Sequence, residues 1–193
     1  MKFRSTLANL VVGSAVAFGN CNYSEASVTQ FPGNGHYYEL VNEAKSWQDA
    51  KQDSENRSFN NFQGYLSTIT SSEENNFIVN NFLPNTNAWL GGYQVPGSQE
   101  PDQGWRWVTN EPFSYTNWGV PGQAEPNNDH LELGGEDFLE IKGIFSPFQY
   151  SWNDVNSLPS SDRLYVVEYE SPEPSTLALI GLGAGSLLRR RKN

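Results

Sequence analysis

Three short clusters of oxygen-bearing side chains, all within residues 125–154, constrain the fold of this chain more than any other feature. They read Glu-Pro-Asn-Asn at 125–128, Gly-Gly-Glu-Asp at 134–137 and Trp-Asn-Asp at 152–154. Calcium takes about six to eight oxygen ligands from carboxylates, amides and backbone carbonyls, and the alternating acidic loop of an EF-hand is missing from the sequence. The fold must therefore bring separated segments to one ion. The ligands that this pattern predicts are Glu125, Asn127, Glu136, Asn153 and Asp154.

The same clusters resemble the calcium and sugar site of C-type lectin domains of the mannose-binding type. The resemblance extends over most of the stretch from about residue 35 to residue 170. The segments that carry it, in the order the family has them, are 35–38 and 46–50 (first strand and helix), 64–69 and 72–75 (second strand and helix), 89–92 (Trp-Leu-Gly-Gly) and 116–118 (Thr-Asn-Trp). It is this joint occurrence in one order that makes the likeness specific.

The resemblance implies an α+β domain over residues 32–170, with two helices, small antiparallel sheets and a long loop region that binds calcium and sugar. Domains of this family usually carry two disulfides. The four matching positions here are Ser54 with Val167 and Phe138 with Ser157, and none is a cysteine. Because losing such a bridge typically costs about 2–5 kcal/mol, we expect burial of Phe138 and Val167 to replace part of that stability.

Local patterns agree with this fold class. Ser46 is a candidate helix cap, and a capping box at 71–74 precedes apolar residues at helical spacing up to Phe82. We predict a loop over 56–61 and a long irregular region from about 93 to 135, a length that is usually functional. Strands are predicted at 37–41, 88–93, 105–108, 139–141 and 164–167.

Six tryptophans allow two interpretations, a sugar-stacking platform or core anchors. A domain of this size without cysteines needs large apolar side chains, so we predict that most of them are buried. Trp152 stands beside two of the predicted ligands, and we expect it to fix its strand rather than to contact sugar. The six are Trp47, Trp89, Trp105, Trp107, Trp118 and Trp152.

The lectin resemblance also implies a cis Glu125–Pro126 bond and sugar contacts through Glu125, Asn127, Glu136 and Asn153. In the family, the order of glutamate and then asparagine goes with equatorial 3- and 4-hydroxyls, as in mannose, glucose and N-acetylglucosamine. The gaps between the clusters are longer than in the family's compact form, and surface loops tolerate such insertions. A second calcium would draw on Asp102, Asn128 and Asp137, although Gln94 stands where a carboxylate is expected.

Residues 1–26 are typical of an export signal. Two basic residues precede an apolar run over 7–18, and Ser-Glu-Ala at 24–26 offers the small residues that signal peptidase reads. The run is too short to span a bilayer, which predicts cleavage after about residue 26. A lipidated Cys21 is the competing interpretation, and the bulky, polar Asn20 before it disfavours such a site.

Residues 172–193 combine Pro-Glu-Pro-Ser, an apolar segment over 176–188 and a basic end. As a helix the apolar segment extends about 20 Å, against a hydrocarbon core of about 30 Å. This tail resembles a PEP-CTERM sorting signal of Gram-negative bacteria. That resemblance implies transient retention in the inner membrane by a short transmembrane helix and cleavage by an exosortase. Release or attachment would follow at the surface or in the matrix of cells that make exopolysaccharide.

Charge and motif content restrict the function further. Between the two terminal signals six basic residues face twenty acidic ones, which excludes nucleic acid as a partner because a phosphate backbone needs clustered Lys and Arg. Glu125 and Glu136 allow a glycosidase interpretation, but a calcium-bound carboxylate transfers protons poorly. His36 and His130 have no serine or cysteine motif beside them. We therefore predict that the protein is not an enzyme.

Calcium-dependent binding of a glycan or exopolysaccharide by an exported protein is the function that the sequence favours. The alternative is a non-sugar adhesion or protein-binding module on the same fold. For the site itself, the simplest competing interpretation is an acidic, asparagine-rich loop that binds nothing. Loss of the Glu-Asn pairs would favour these alternatives, and both pairs are intact.

Overall fold

The computed structural model describes residues 27–83, 86–119, 124–129, 134–143, 150–158 and 161–171. The predicted signal peptide with Cys21, the sorting tail and His130 lie outside these ranges. Within the described part of the chain, no helix has both the length and the apolar character needed to cross a membrane. The predicted transmembrane helix of the tail lies outside the described residues.

Two helices and nine strands form the described fold. The helices are α1 (Trp47–Asn56) and α2 (Ser72–Phe82). The strands are β1 (Thr29–Gln30), β2 (Tyr37–Lys45), β3 (Ser58–Phe59), β4 (Phe62–Leu66), β5 (Ala88–Gln94), β6 (Trp105–Trp107), β7 (Phe138–Ile141), β8 (Trp152–Val155) and β9 (Arg163–Tyr169). The predicted α+β class is confirmed.

The strands join in the order β1-β2-β9-β5-β7-β8, with β4 beside β9, β3 beside β4 and β6 beside β5. All the pairs are antiparallel except β5 with β9, which run parallel. The sheet is thus mixed and connected, where the sequence predicted small antiparallel sheets. The last strand causes this difference, because β9 inserts between β2 and β5 and joins the two halves of the domain.

Both predicted helix caps are confirmed. Ser46 Oγ accepts from Asp49 N at 3.2 Å, and Ser71 Oγ accepts from Glu74 N at 3.2 Å, so each satisfies a donor that the first helical turn leaves free. The loop predicted at 56–61 is wrong, because β3 lies within it and pairs with β4. Asn60 and Asn61 both have positive φ, at 51° and 69°. This is the conformation that a two-residue hairpin turn requires.

The core contains five of the six tryptophans at 7% exposure or less, and Trp118 packs half-buried against them. The prediction that most of them are buried is confirmed. At the positions of the missing disulfides, Val167 is fully buried, whereas Phe138 is half-buried and stacks on Trp47 with ring centroids 4.7 Å apart. Ser157 Oγ accepts from Trp47 N at 3.0 Å. Helix α1 is therefore held by stacking and hydrogen bonding.

Trp152 attaches the irregular region to the core. Its indole Nε1 donates to Asn75 Oδ1 at 2.9 Å, its backbone N donates to Asn117 O at 2.8 Å, and its backbone O accepts from Gly119 N at 3.1 Å. The ring is fully buried among other aromatic rings. Trp152 fixes its strand, as predicted, and so determines where the next two residues lie.

Candidate functional site

Asp154 is the buried centre of the candidate site. It lies on β8 and is fully shielded from solvent. Its carboxylate accepts from Asn127 N at 3.1 and 3.0 Å and from Asn128 N at 2.7 Å. Burial raises the pKa of Asp154, and the backbone donors oppose that rise. These bonds tie the first cluster of the sequence to the third.

Asn128 connects the second cluster, at 134–137, to the first. Its Oδ1 accepts from Glu136 N at 2.7 Å, and its own backbone has a positive φ of 49°. Gly135 makes this approach feasible, because a Cβ at that position would lie 2.6 Å from Asn128 Oδ1 and its φ is +83°. Glu136 is therefore held in a buried position next to the first cluster.

Glu125 completes the acidic part of the site. The Glu125–Pro126 bond is cis, as the family resemblance implies. Glu125 Oε2 is buried and has no hydrogen-bond partner within the described ranges. Burial first, then the charge of Asp154 and the hydrogen bond between the two carboxyl groups, raise the pKa of Glu125 to about 7. Lys142 opposes the rise, and Glu136 adds to it.

The two asparagines of the predicted site differ in which part of the amide is already hydrogen-bonded. Asn153 Nδ2 donates to Glu140 Oε1 at 3.2 Å and to Asp154 O at 2.7 Å. Both of its N–H groups are thus used, and no described residue donates to its Oδ1. Asn127 Oδ1 accepts from Asp129 N at 2.9 Å, which leaves its second lone pair for a cation and its Nδ2 as a donor. The expected donation from Asn153 to sugar is not available in this arrangement.

The donor set fits a hard cation, although the acids alone do not form a ready metal cluster. Among the described residues, no group of three or more His, Cys, Asp or Glu side chains is spaced to hold a metal. The predicted set has three carboxylates and two amides, so the amide oxygens must contribute. An unpaired buried carboxylate oxygen beside a second buried carboxylate is costly, and a cation would relieve that cost.

No described hydrogen bond joins the residues predicted for a second calcium to one another, and that site stays a prediction. Asp102 is exposed and its carboxylate accepts from Gln103 Nε2, and none of the described contacts joins it to Asn128 or Asp137. Gln94 Nε2 donates to the backbone oxygens of Pro101 and Gln103 at 3.2 and 2.8 Å. An amide donor therefore satisfies carbonyl groups of this loop and holds the loop against β5.

Sequence reasoning missed Glu140, Lys142 and Arg163, which adjoin the site. Glu140 is 1% exposed, and its carboxylate accepts from Lys142 Nζ at 2.6 Å and from Arg163 Nε at 2.8 Å. The signal was the placement of this acid between Leu139 and Ile141 in a predicted buried strand, because acids are rarely buried unless they are paired.

Comparisons with known proteins agree with this geometry. The family model "Lectin C-type domain" matches residues 43–167, and a PEP-CTERM protein-sorting motif matches residues 172–192. Halomucin of Haloquadratum walsbyi is 32% identical, covering 75% of this chain and 2% of halomucin. A Perlucin-like protein of Mytilus galloprovincialis is 29% identical, covering 58% of this chain and 64% of the relative. The chain thus corresponds to only part of each relative's length.

Solved structures show the same fold. The C-type carbohydrate-recognition domain of cow CD23, determined in the presence of GlcNAc2Man3 oligosaccharide, has a TM-score of 0.55 and 25% sequence identity. The alignment covers 72% of this chain and 90% of that domain. Both resemblances predicted from the sequence are confirmed, the lectin domain and the sorting motif.

Proposed function

This chain belongs to the C-type lectin family, and we propose that it is an exported lectin that binds carbohydrate through one calcium ion. Domains of this family bind carbohydrates and are not enzymes, in agreement with the predicted absence of catalysis. The proposal adds calcium dependence, the ligand residues and the class of sugar.

The observation that carries the proposal is the buried and unpartnered Oε2 of Glu125. Burying a carboxylate without a compensating donor or cation is unfavourable, and here the neighbouring Asp154 carboxylate adds repulsion. Lys142 is the cation that favours ionised Glu125, yet its ammonium already donates to Glu140. A bound divalent cation would satisfy Glu125 and Asp154 together.

The residues that would hold calcium are Glu125, Asn127, Glu136, Asn153 and Asp154. Calcium prefers carboxylate and carbonyl oxygens and accepts irregular ligand arrangements. When bound, the ion would offer remaining coordination positions to sugar hydroxyls. Glu125 and Glu136 can accept hydrogen bonds from those hydroxyls, and Asn127 Nδ2 can donate to them. Asn153 would then serve the ion through Oδ1, since its Nδ2 is engaged.

Mannose, glucose and N-acetylglucosamine are the sugars that we propose. The sequence Glu125-Pro126-Asn127 goes with equatorial 3- and 4-hydroxyls in the family that it resembles. The structure of the cow CD23 domain was determined with an oligosaccharide that contains mannose and N-acetylglucosamine, which supports the same class. The physiological ligand would be a surface glycan or the exopolysaccharide of the producing cell.

The terminal segments support export. Residues 1–26 have the pattern of a signal peptide, and residues 172–192 match the sorting motif. We propose passage through the inner membrane of a Gram-negative bacterium, processing by signal peptidase and an exosortase, and delivery to the cell surface or matrix.

Calcium-dependent stability and sugar binding test the proposal together. The full-length protein should melt at a higher temperature in millimolar calcium than in chelator, because calcium binds only the folded site. It should bind immobilised mannose in calcium and be released by chelator. An unchanged melting temperature would overturn the calcium site. Binding of a protein partner equally well in chelator would favour the adhesion alternative.

A further inference from the structure

We propose that Glu140 is a positioning residue for Asn153, and that it holds the amide nitrogen so that Oδ1 is the end free to bind a cation. This inference rests on the proposed calcium site. It concerns a residue that lies outside the predicted ligand set and that contacts the site through Asn153.

The sheet register brings the two residues together. Glu140 on β7 and Asn153 on β8 are directly opposite each other in an antiparallel pair, where side chains on one face lie about 4.5–5.5 Å apart at Cβ. Glu140 Oε1 accepts from Asn153 Nδ2 at 3.2 Å. The other N–H of that amide goes to the backbone oxygen of Asp154 at 2.7 Å.

The amide cannot be reversed without loss. An asparagine amide turned by about 180° would exchange its oxygen and nitrogen. Asn153 Oδ1 would then face Glu140 Oε1 and Asp154 O, two acceptors with no proton between them. The turned amide would lose both of its own hydrogen bonds and set oxygen against oxygen, which is costly. Glu140, together with the backbone oxygen of Asp154, therefore selects the orientation in which the oxygen of Asn153 is free, and only that end of an amide binds a cation.

Glu140 itself is rigidly held. Its carboxylate is 1% exposed and accepts from four donors, Lys142 Nζ at 2.6 Å, Arg163 Nε at 2.8 Å, Asn87 Nδ2 at 3.3 Å and Asn153 Nδ2. Two of these donors are cationic, and they lie on β9 and just beyond β7. A carboxylate fixed from several elements in this way can orient a ligand as outer-shell partners do in metal sites.

The test compares Glu140→Gln with Glu39→Gln in the full-length protein. Glu39 is also buried in the sheet and pairs with Arg57 at 3.1 Å and with Tyr169, but it contacts none of the proposed ligands. Calcium affinity is measured by titration calorimetry and stability by melting in chelator. We expect Glu140→Gln to weaken calcium binding about 10-fold or more, and Glu39→Gln to lower the melting temperature while leaving calcium affinity unchanged.

Charge and orientation are separated by a second variant. Glu140→Gln adds one positive charge near the site, and Lys142→Met in the same chain removes one. If the orientation of the Asn153 amide is the cause, the double variant binds calcium as weakly as Glu140→Gln does. Recovery of wild-type calcium affinity would overturn the positioning role. In chelator, the Asn153 side-chain amide protons should exchange with solvent more slowly in the wild type than in Glu140→Gln, which a purely electrostatic role would not produce.

The outcomes distinguish the two proposals. A wild-type protein that binds no calcium would overturn the proposed function and this inference with it. A wild type that binds calcium, together with a Glu140→Gln variant of equal affinity, would leave the lectin function intact and overturn the role of Glu140 alone.

Discussion

Asp53 on α1 and Glu125 beside β8 are both partly buried carboxylates, but what faces them differs. Asp53 accepts from Lys45 Nζ at 3.0 Å, from Arg57 Nε at 2.6 Å and from the Tyr165 hydroxyl. Burial raises its pKa, but these donors together lower the pKa of Asp53 to about 2. At Glu125, burial and the neighbouring Asp154 act in the same direction and raise the pKa to about 7.

The difference separates a structural group from a binding group. Around Asp53 the chain supplies its own cations, so the ionised form is the stable one. Around Glu125 the backbone donors go to Asp154, and the ammonium of Lys142 donates to Glu140. Ionised groups that the protein itself leaves uncompensated mark functional sites more often than structural ones. This contrast supports the proposal of a cation site in the 125–154 region.

The largest effect is expected from Glu125→Gln. This change removes a charged ligand and should weaken calcium binding by more than about 100-fold, the upper end of what loss of an outer-shell partner costs. In chelator at pH 8 the same variant should melt at a higher temperature than the wild type, because it removes repulsion with Asp154. Melting curves with and without calcium measure both the loss of stabilisation by calcium and the gain in melting temperature in chelator. A variant less stable than the wild type in chelator would contradict the contrast with Asp53.

Asp53→Asn should give the reverse pattern. It removes bonds to two cations, and because the Asp53 side chain is 28% exposed we expect a loss of only about 1–2 kcal/mol of unfolding free energy. The increase in melting temperature caused by calcium should remain that of the wild type. Urea unfolding in chelator measures the loss. A change in the calcium response would show that the two regions are coupled.

The pH dependence of stability should also differ between the regions. With a pKa of about 7 in the folded protein against an ordinary value of 4.5, Glu125 binds more protons when folded. Its contribution to apo stability is therefore present below pH 4.5 and lost as the pH rises through about 7. The contribution of Asp53 is present above its ordinary pKa of 3.8 and lost as the pH falls towards 2. Calcium affinity should rise as Glu125 ionises.

Unfolding in chelator from pH 4 to pH 8 checks this prediction, with Glu125→Gln as the control. Desolvation lowers the pKa of His36, but its hydrogen bond to Glu168 and the charges of Glu168, Glu170 and Glu74 together outweigh it, so the pKa of His36 is also raised. The stabilising contribution of His36 is likewise lost at higher pH, and the Glu125→Gln variant keeps this pH-dependent contribution. The part of the slope that Glu125→Gln removes is therefore the part due to Glu125 and its interaction with Asp154. An identical slope in both proteins would contradict the raised pKa.

Much of this molecule was predictable from the sequence because its signals are local. The caps at Ser46 and Ser71 and the clusters at 125–128 and 152–154 are short patterns with a direct physical meaning. The pairing of Glu140 with Arg163 was not predictable, because those residues are 23 apart and meet only through the order of β9, β5 and β7. The hairpin at Asn60 and Asn61 was missed because polar composition does not distinguish a loop from a tight turn.

The smallest effect is expected from Lys51→Gln, which tests whether burial explains the strength of the Asp53 network. Lys51 pairs with Glu55 at 2.5 Å, and Asp53 pairs with Arg57 at 2.6 Å; both pairs are four residues apart on α1. Their geometry is nearly the same, but the Lys51 and Glu55 side chains are 36% and 45% exposed, against 30% and 28% for Arg57 and Asp53. Asp53 also pairs with Lys45, and Arg57 also pairs with Glu39. We expect Lys51→Gln to cost less than about 0.5 kcal/mol, since glutamine has nearly the helix propensity of lysine. Urea unfolding of both variants in one buffer measures the difference. A cost equal to that of Asp53→Asn would mean that spacing alone sets the energy, and the contrast between compensated and uncompensated carboxylates would lose its physical basis.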